Sequence, residues 1–211
     1  MKYSCIIWDW NGTLLDDVNA CLDSVNDMLT KRGLKNIDMD RYREVIGVPI
    51  KKFYEKVFDL EKYDYEEIIK DFNEGYIRHL NEVKLSDGAE ELLEYFRRQG
   101  AKQIIVSSSN NSVLRANTEK YGVSGYFDEI LGADDYYASS KIERAVDYLD
   151  RNSCGKALAF GDLEHDYELA MQTGADCVLL ASGHDSRHRL EKTGAIVINS
   201  LREILSTDIL R

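Results

Sequence analysis

Short apolar runs alternate with amphipathic helical patterns along the second half of this 211-residue chain. Strands that alternate with helices in this way usually pair in parallel, with the helices covering both faces of the sheet. An apolar run at the start of the chain would join the same sheet. The sequence therefore predicts an α/β fold with a doubly wound, Rossmann-like parallel sheet, whose strands lie at residues 3–8, 103–106, 129–131, 157–160, 177–180 and 196–198.

The segment between residues 16 and 85 has a different character, because its apolar residues recur at helical spacing and none of it reads as a strand. Helices are predicted over residues 16–34, 40–46, 51–58 and 65–80, and Pro49, the only proline of the chain, separates two of them. We therefore expect a helical cap formed by residues 16–85, inserted over the carboxyl edge of a core formed by residues 1–15 and 86–211.

The composition narrows the classes of partner. A net charge of −11 would repel a nucleic-acid backbone. No apolar run approaches the roughly 20 residues of a membrane span, and the first residues lack the features of a signal peptide, so we expect a cytoplasmic protein without a membrane partner. The four cysteines are scattered, which argues against a zinc site and a disulfide framework and favours buried apolar roles.

Acidic residues follow two of the predicted strands. Asp9 ends the first strand and precedes Gly12 and Thr13, a turn whose backbone amides can face an anion. A carboxylate there could be a nucleophile, a metal ligand or a turn residue. Asp162 and Asp166 follow a later strand, where two carboxylates suit a hard cation, although Asp166 could instead cap the next helix.

Residues able to hold a phosphoryl group follow other predicted elements. Ser107 and Ser108 come directly after a strand, and Lys141 precedes a helix, although serine-rich turns and single lysines are usually without such a role. One parallel sheet would bring Ser107 and Lys141 to the same edge as Asp9 and Asp162. Their joint order predicts a site that binds phosphate with the help of a divalent cation.

These motifs, in this order, resemble those of the haloacid dehalogenase superfamily over almost the whole chain. The segment that begins at Asp9 and runs to Leu14 carries the first motif, and the later ones are Ser107, Lys141 and Gly161-Asp162 with Asp166. The insertion after the first motif is similar to the helical cap of the phosphoglycolate phosphatase and β-phosphoglucomutase branch. Residues 47–49 resemble the cap loop that faces the substrate in that branch.

The resemblance implies a Mg2+-dependent phosphatase for a small phosphorylated metabolite. Asp9 would attack phosphorus to form an aspartyl-phosphate, while Ser107 and Lys141 hold the transferring group. Asp9, Asp162 and the backbone carbonyl of Asn11 would bind Mg2+. The expected site comprises catalytic Asp9, Asn11, Ser107 and Lys141, phosphate- or substrate-binding Gly12, Thr13, Ser108 and Lys51, and metal-binding Asp9, Asn11, Asp162 and Asp166.

Asn11 departs from the resemblance. Phosphatases of the superfamily usually have an aspartate there, which protonates the leaving group and then activates water, and an asparagine cannot carry that proton. The substrate itself or another side chain could replace it, the candidates being Asp16, Asp17, Glu164 and His165. Alternatively, the leaving group needs no proton, as in acyl or aryl phosphates.

Two other functions remain open beside the phosphatase. The chain could bind a phosphorylated ligand without turnover, as a regulatory protein. It could also cleave a carbon–phosphorus bond through an imine on Lys51 or Lys52. Dehalogenases of the superfamily also lack the aspartate, but they do not require the metal that Asp162 and Asp166 would bind. The histidines are expected in surface or structural roles, although the segment of residues 182–186 follows a strand at the same edge and could border the site.

Overall fold

The computed structural model of the chain describes residues 2–133, 140–152 and 154–210. Its strands are β1 (Cys5–Trp8), β2 (Leu15–Asp16), β3 (Lys84–Leu85), β4 (Lys102–Asn110), β5 (Glu129–Ala133), β6 (Ala157–Gly161), β7 (Asp176–Leu180) and β8 (Ile196–Ile198). Its α-helices are α1 (Val18–Lys31), α2 (Met39–Val45), α3 (Ile50–Val57), α4 (Tyr65–His79), α5 (Ala89–Arg98), α6 (Asn111–Lys120), α7 (Lys141–Asn152), α8 (Glu164–Thr173) and α9 (Arg187–Lys192). Short 3-10 turns lie at Leu80–Glu82, Ser124–Tyr126, Leu201–Ser206 and Asp208–Leu210.

Six of the strands form one parallel sheet in the order β5-β4-β1-β6-β7-β8. The chain leaves β1 at the centre, and the later strands add outward on either side, so the order reverses next to β1. Ligands of open α/β sheets bind at such a reversal, outside the carboxyl ends of the strands. The predicted fold class is confirmed.

Both faces of the sheet are buried. Along β1, Ile6 and Trp8 face one apolar cluster, whereas Cys5 and Ile7 face the other. Trp8 stacks on the ring of Phe160 with a centroid distance of 4.4 Å. Alternation of this kind fixes the register, because a slip by one residue would exchange the two faces. The end of β1 is thereby held firmly in place.

The strand β4 is longer than its apolar run predicts. The prediction ends it at Val106, but the strand continues through the serines to Asn110, which pairs with Ala133 of β5 after a register shift. Pairing with an edge strand, rather than hydrophobicity, extends it. Ser107 and its neighbours therefore lie on extended backbone rather than in a turn.

The segment between β2 and β3 is helical and has its own apolar cluster. The cluster is formed largely by α1 to α4, and its members include Val25, Met28, Tyr42, Phe53 and Ile68. The prediction that residues 16–85 contain no strand is wrong at both ends, because β2 and β3 pair there, with Leu15 opposite Leu85 and Asp16 opposite Lys84. Strands of two residues are too short to show alternation in a sequence.

Among the described residues, no helix is long and apolar enough to cross a membrane.

Candidate active site

Asp9 directly follows β1 and forms a buried ion pair with Lys141. The distance from Lys141 Nζ to Asp9 Oδ1 is 2.5 Å, and the same ammonium donates to Asp166 Oδ1 at 2.6 Å. All three residues are buried, and Asp9 is the most exposed of them, at 8%. Lys141 begins α7, so the helix places its ammonium between the two carboxylates.

Asp162 lies in the loop that follows β6, and Asp166 lies in the first turn of α8. Asp166 Oδ2 accepts the amides of Asp162 and Leu163, both at 2.9 Å, and so caps α8. Asp162 accepts the Thr13 hydroxyl at 3.2 Å and the His184 amide at 2.6 Å. Asp166 is therefore both a helix cap and a partner of Lys141, because its two oxygens point in different directions.

We call Asp9, Lys141, Asp162 and Asp166 the core cluster. The carboxylates of Asp9, Asp162 and Asp166 each offer one oxygen within 4.8 Å of the others. Burial raises the pKa of Asp9 to about 6, although Lys141 opposes the shift, and burial raises that of Asp162 well above its usual range. Burial lowers the pKa of Lys141, but Asp166 and Asp9 outweigh it and hold the lysine charged. The cluster thus has three carboxylates for one ammonium, and an oxygen-rich donor set of this kind fits Mg2+.

Gly12 and Gly183 allow the backbone to approach Asp162 closely. A Cβ on either glycine would overlap with the Asp162 side chain, and Gly12 also has a φ of +73°, a conformation that disfavours other residues. The lack of space around the Asp162 carboxylate therefore restricts both positions to glycine.

The backbone amides of Gly12 and Thr13 do not face an open anion site, contrary to the sequence prediction. The Gly12 amide donates to Asp17 Oδ1 at 2.8 Å, and the Thr13 amide lies 3.3 Å from the carbonyl of Trp10. The Gly12 amide thus already has Asp17 Oδ1 and, at 2.9 Å, the Leu15 carbonyl as acceptors. Thr13 contributes instead through its hydroxyl, which orients Asp162.

The serines after Val106 point in different directions. Ser107 is 2% exposed, and its hydroxyl oxygen accepts the Ser109 amide at 3.1 Å. The carbonyl of Ser107 accepts Arg144 Nη2 at 2.7 Å. Ser108 is exposed, whereas the Ser109 hydroxyl donates to Asn11 Oδ1 at 2.7 Å. Alternation along β4 places Ser107 and Ser109, rather than the predicted Ser108, toward the site.

Asn11 joins the first motif to the insert. Its amide nitrogen lies 2.6 Å from Asp17 Oδ2 and 3.2 Å from the Tyr76 hydroxyl. Tyr76, on α4, also donates to Asp17 Oδ2 at 2.7 Å. The side chain of Asn11 is thus held at both ends, by Asp17 and by Ser109.

His184, which we expected in a surface or structural role, lies buried against Asp17. Its Nε2 is 3.4 Å from Asp17 Oδ1, and its Nδ1 is 2.9 Å from the Tyr42 hydroxyl. Burial lowers the pKa of His184, but the hydrogen bond and charge of Asp17 outweigh it and raise the value to about 9. Burial raises the pKa of Asp17, but the hydrogen bond with His184 outweighs burial and keeps this pKa below its usual range. We call Asn11, Asp17, Tyr76 and His184 the interface cluster.

The other residues that the sequence suggested as proton carriers are exposed or pair with other side chains. Asp16 is exposed on β2. Glu164 accepts Arg189 Nη2 at 2.7 Å, and His165 pairs with Glu168 at 3.0 Å. Asp17 is the candidate that touches Asn11.

Lys51 and Lys52 are exposed at the start of α3. The ammonium of Lys51 lies 5.6 Å from the ring centre of Tyr65. Within the described residues, no hydrogen bond or ion pair links either lysine to the core cluster. The structure therefore does not bring Lys51 together with the other predicted site residues.

Comparison with known proteins gives a consistent family. The model of the family described as "Haloacid dehalogenase-like hydrolase" matches residues 6–180. A phosphoglycolate phosphatase of Pseudomonas fluorescens is 23% identical over 95% of this chain and 78% of its own length. A 5'-nucleotidase of Pseudomonas aeruginosa is 25% identical over 90% of this chain and 88% of its own.

Solved structures agree on the fold. A haloacid dehalogenase-like family hydrolase from Streptococcus pneumoniae superimposes with a TM-score of 0.83 at 18% identity, covering 97% of this chain and 98% of that one. A second hydrolase from Streptococcus pneumoniae reaches a TM-score of 0.63 at 24% identity, covering 98% and 100%. The similarity therefore extends over both the sheet and the helical insert.

Proposed function

Since the chain belongs to the haloacid dehalogenase-like hydrolase family, we propose that it is a Mg2+-dependent phosphatase that hydrolyses a small phosphorylated metabolite through an aspartyl-phosphate. The named relatives include phosphoglycolate phosphatases and a 5'-nucleotidase, whose names both denote phosphatases of small phosphate esters. The observation that carries the proposal is the buried core cluster, in which Asp9 contacts Lys141 at the carboxyl edge of the sheet. The residues 16–85 serve in this proposal as the cap over that edge.

Asp9 and Asp162, with the backbone carbonyl of Asn11, would hold Mg2+. The ion supplies positive charge to the phosphoryl oxygens, which three buried carboxylates would otherwise repel. Asp166 acts through Lys141, because it fixes the ammonium that contacts Asp9.

Asp9 is the nucleophile in this proposal. One of its oxygens is held by Lys141, which orients the carboxylate and balances its charge. The other oxygen attacks phosphorus, the bond to the leaving oxygen breaks, and water then hydrolyses the acyl phosphate. Ser107 and Lys141 would hold the phosphoryl oxygens, since both lie buried at the same edge. The family's usual proton carrier is absent from this scheme.

Because Asn11 cannot carry a proton, we expect a substrate whose leaving group has low basicity. The Asn11 amide is held by Asp17 and its carbonyl by Ser109, so the side chain neither carries a proton nor turns freely toward a substrate. Acyl and aryl phosphates depart without a proton, and general acid catalysis is typically worth about 10²- to 10⁴-fold for substrates that need one. We therefore expect acetyl phosphate and p-nitrophenyl phosphate to be cleaved faster than alkyl phosphates.

The test is a phosphate-release assay with and without Mg2+. Acetyl phosphate, p-nitrophenyl phosphate, phosphoglycolate and a nucleoside monophosphate are compared, each with the wild type and with Asp9→Asn. The expected result is Mg2+-dependent turnover by the wild type and none by the variant. No Mg2+-dependent release from any of the four compounds would refute the proposal.

A second function is favoured by the same contacts of Asn11. A protein that forms the aspartyl-phosphate but cannot activate water would bind its ligand and release one equivalent of leaving group. A burst of p-nitrophenol equal to the enzyme concentration, followed by no turnover, would identify this function. Sustained turnover would exclude it. Carbon–phosphorus cleavage has no comparable support, since Lys51 and Lys52 are exposed on α3.

A further inference from the structure

Asp17, Cys21 and His184 bring three different metal-binding groups together outside the core cluster. Their carboxylate, thiol and imidazole each offer one atom within 4.8 Å of the others. All three are buried, with exposed fractions of 0%, 7% and 8%. Asp17 and Cys21 are four residues apart at the start of α1, and His184 comes from the loop after β7. Sequence spacing could not reveal this group, because most of the chain lies between Cys21 and His184.

The three groups lie close enough to one another to share an ion. His184 Nε2 is 3.4 Å from Asp17 Oδ1, and Cys21 Sγ is 3.7 Å from Asp17 Oδ2. Zinc binds nitrogen and oxygen at roughly 2.0–2.2 Å and sulfur at about 2.3 Å. In a tetrahedron these bonds separate nitrogen from oxygen by about 3.4 Å and sulfur from oxygen by about 3.6 Å. Each distance is close to an edge of such a tetrahedron, the first ending on Oδ1 and the second on Oδ2 of Asp17, so the carboxylate presents both oxygens to the group.

The surrounding side chains already hold two of the three groups in place. The Tyr42 hydroxyl lies 2.9 Å from His184 Nδ1, so that Nε2 is the nitrogen turned toward Asp17. The Asp17 carboxylate accepts the Gly12 amide at 2.8 Å and the Tyr76 hydroxyl at 2.7 Å. Partners of this kind, one step removed from the ion, fix the orientation of ligands in metal sites.

We propose that Asp17, Cys21 and His184 form a second metal site, selective for a transition-metal ion such as Zn2+. A thiolate and an imidazole favour such an ion over Mg2+, whereas the carboxylates of the core cluster favour Mg2+. Three protein ligands leave a fourth position for water or a ligand oxygen. On binding, the ion replaces the thiol proton of Cys21 and the Nε2 proton of His184, and both protons are released to solvent.

The proposed site would join the insert to the core. Asp17 and Cys21 belong to the start of the helical segment, whereas His184 belongs to a loop of the sheet domain. A bound ion would therefore stabilise the observed docking of α1 against the loop after β7. This inference does not depend on the proposed phosphatase function.

Cobalt absorption tests the site on the full-length protein. Excess Mg2+ occupies the core cluster, Co2+ is then added anaerobically, and wild type, Cys21→Ser and Cys154→Ser are compared. Cys154 is a matched control because it lies in the loop before β6 and is not a member of the group. We expect a thiolate-to-cobalt charge-transfer band, with one equivalent of Co2+ bound, in the wild type and in Cys154→Ser, and its loss in Cys21→Ser.

The wild-type spectrum alone can overturn the proposal, whether or not the variants fold. Absence of a thiolate-to-cobalt band in the wild type refutes it, and so does an undiminished band in Cys21→Ser.

Zinc affinity measured by calorimetry gives a second test. Tyr42→Phe should weaken Zn2+ binding by roughly 10-fold, since removal of such an outer partner typically costs 10- to 100-fold in affinity. Equal Zn2+ affinity in wild type and Cys21→Ser would contradict the site.

Discussion

The core cluster is buried and acidic, whereas the interface cluster joins buried Asp17 and His184 to half-buried Asn11 and Tyr76, and the two are built differently. Lys141, Asp9 and Asp166 all come from the sheet domain, and the ends of parallel strands bring them together. In the interface cluster, Tyr76 comes from α4 and His184 from the loop after β7. The first cluster is thus fixed by the topology of the sheet, whereas the second exists only when the insert is docked.

Their charges differ as well. The core cluster has three carboxylates and one ammonium, whereas Asp17 in the interface cluster is matched by one protonated imidazole. The first cluster therefore carries an excess of negative charge that a cation would balance, whereas the second is balanced without a metal ion as long as His184 is protonated. The comparison leads to four predictions, in order of expected effect.

Lys141→Met should have the largest effect on stability. It leaves Asp9 and Asp166 buried without their ion-pair partner, and loss of one member of a buried pair typically costs about 3–5 kcal/mol. Urea denaturation in EDTA should show this loss in the free energy of unfolding. Lys192→Met, an exposed lysine on α9, is the control and should change it by less than about 0.5 kcal/mol. Equal losses in both variants would show that the core cluster does not depend on its lysine.

The interface cluster should respond to pH through His184. Its pKa rises from 6.5 in the unfolded chain to about 9 in the folded protein, so its protonation stabilises the fold fully below about 6.5. This contribution is lost as the pH rises through about 9, and at about 1.4 kcal/mol per pH unit it amounts to about 3 kcal/mol. Urea denaturation of wild type and His184→Gln in EDTA, which keeps metal from the proposed second site, at about pH 6 and about pH 10 measures it. The difference between the two proteins should shrink at high pH, and a difference that grows would contradict the ion pair.

Asn11→Asp should destabilise the interface cluster, because it places a second carboxylate 2.6 Å from Asp17 Oδ2. Like charges at this distance cannot both ionise freely, and we expect a loss of about 1–3 kcal/mol in the free energy of unfolding. The double variant Asn11→Asp/Asp17→Asn removes the pair of like charges, so its loss should be smaller than the sum of the two single losses, although it also lacks the ion pair with His184. A double-mutant cycle by urea denaturation measures the coupling. Additive losses would show that Asn11 and Asp17 are not coupled.

Lys51→Ala should have the smallest effect. The side chain is exposed, and its contact with the Tyr65 ring is worth less than about 1 kcal/mol in such a setting. The free energy of unfolding and the KM for p-nitrophenyl phosphate should both stay close to the wild-type values. A large rise in KM would instead support the substrate-binding role that the sequence suggested for this lysine.

The same comparison explains how much of the site could be predicted. Asp9, Ser107 and Asp162 each follow an apolar run, and parallel strands necessarily end at one edge, so their proximity follows from the sequence pattern. The predicted fold class follows from the same pattern.

The contacts of the interface cluster could not be predicted in this way. Tyr76 and His184 are separated by more than a hundred residues, and their meeting depends on how one apolar surface docks on another. The only signal in the sequence was the position of His184, which follows Gly183 in the segment after a strand. This position indicates the edge of the sheet but not which residue His184 contacts. The contact of Ser109 with Asn11 could not be predicted for a local reason, because β4 continues beyond its apolar run.

The pairing of β2 with β3 has a consequence for engineering. Asp16 and Lys84 are direct partners in an antiparallel ladder, so the chain leaves and re-enters the sheet domain at neighbouring positions. Antiparallel strands can be joined by a hairpin of two residues. We therefore expect that the intervening segment can be exchanged at this ladder without altering the strand that precedes Asp9 or the strand that carries Ser107.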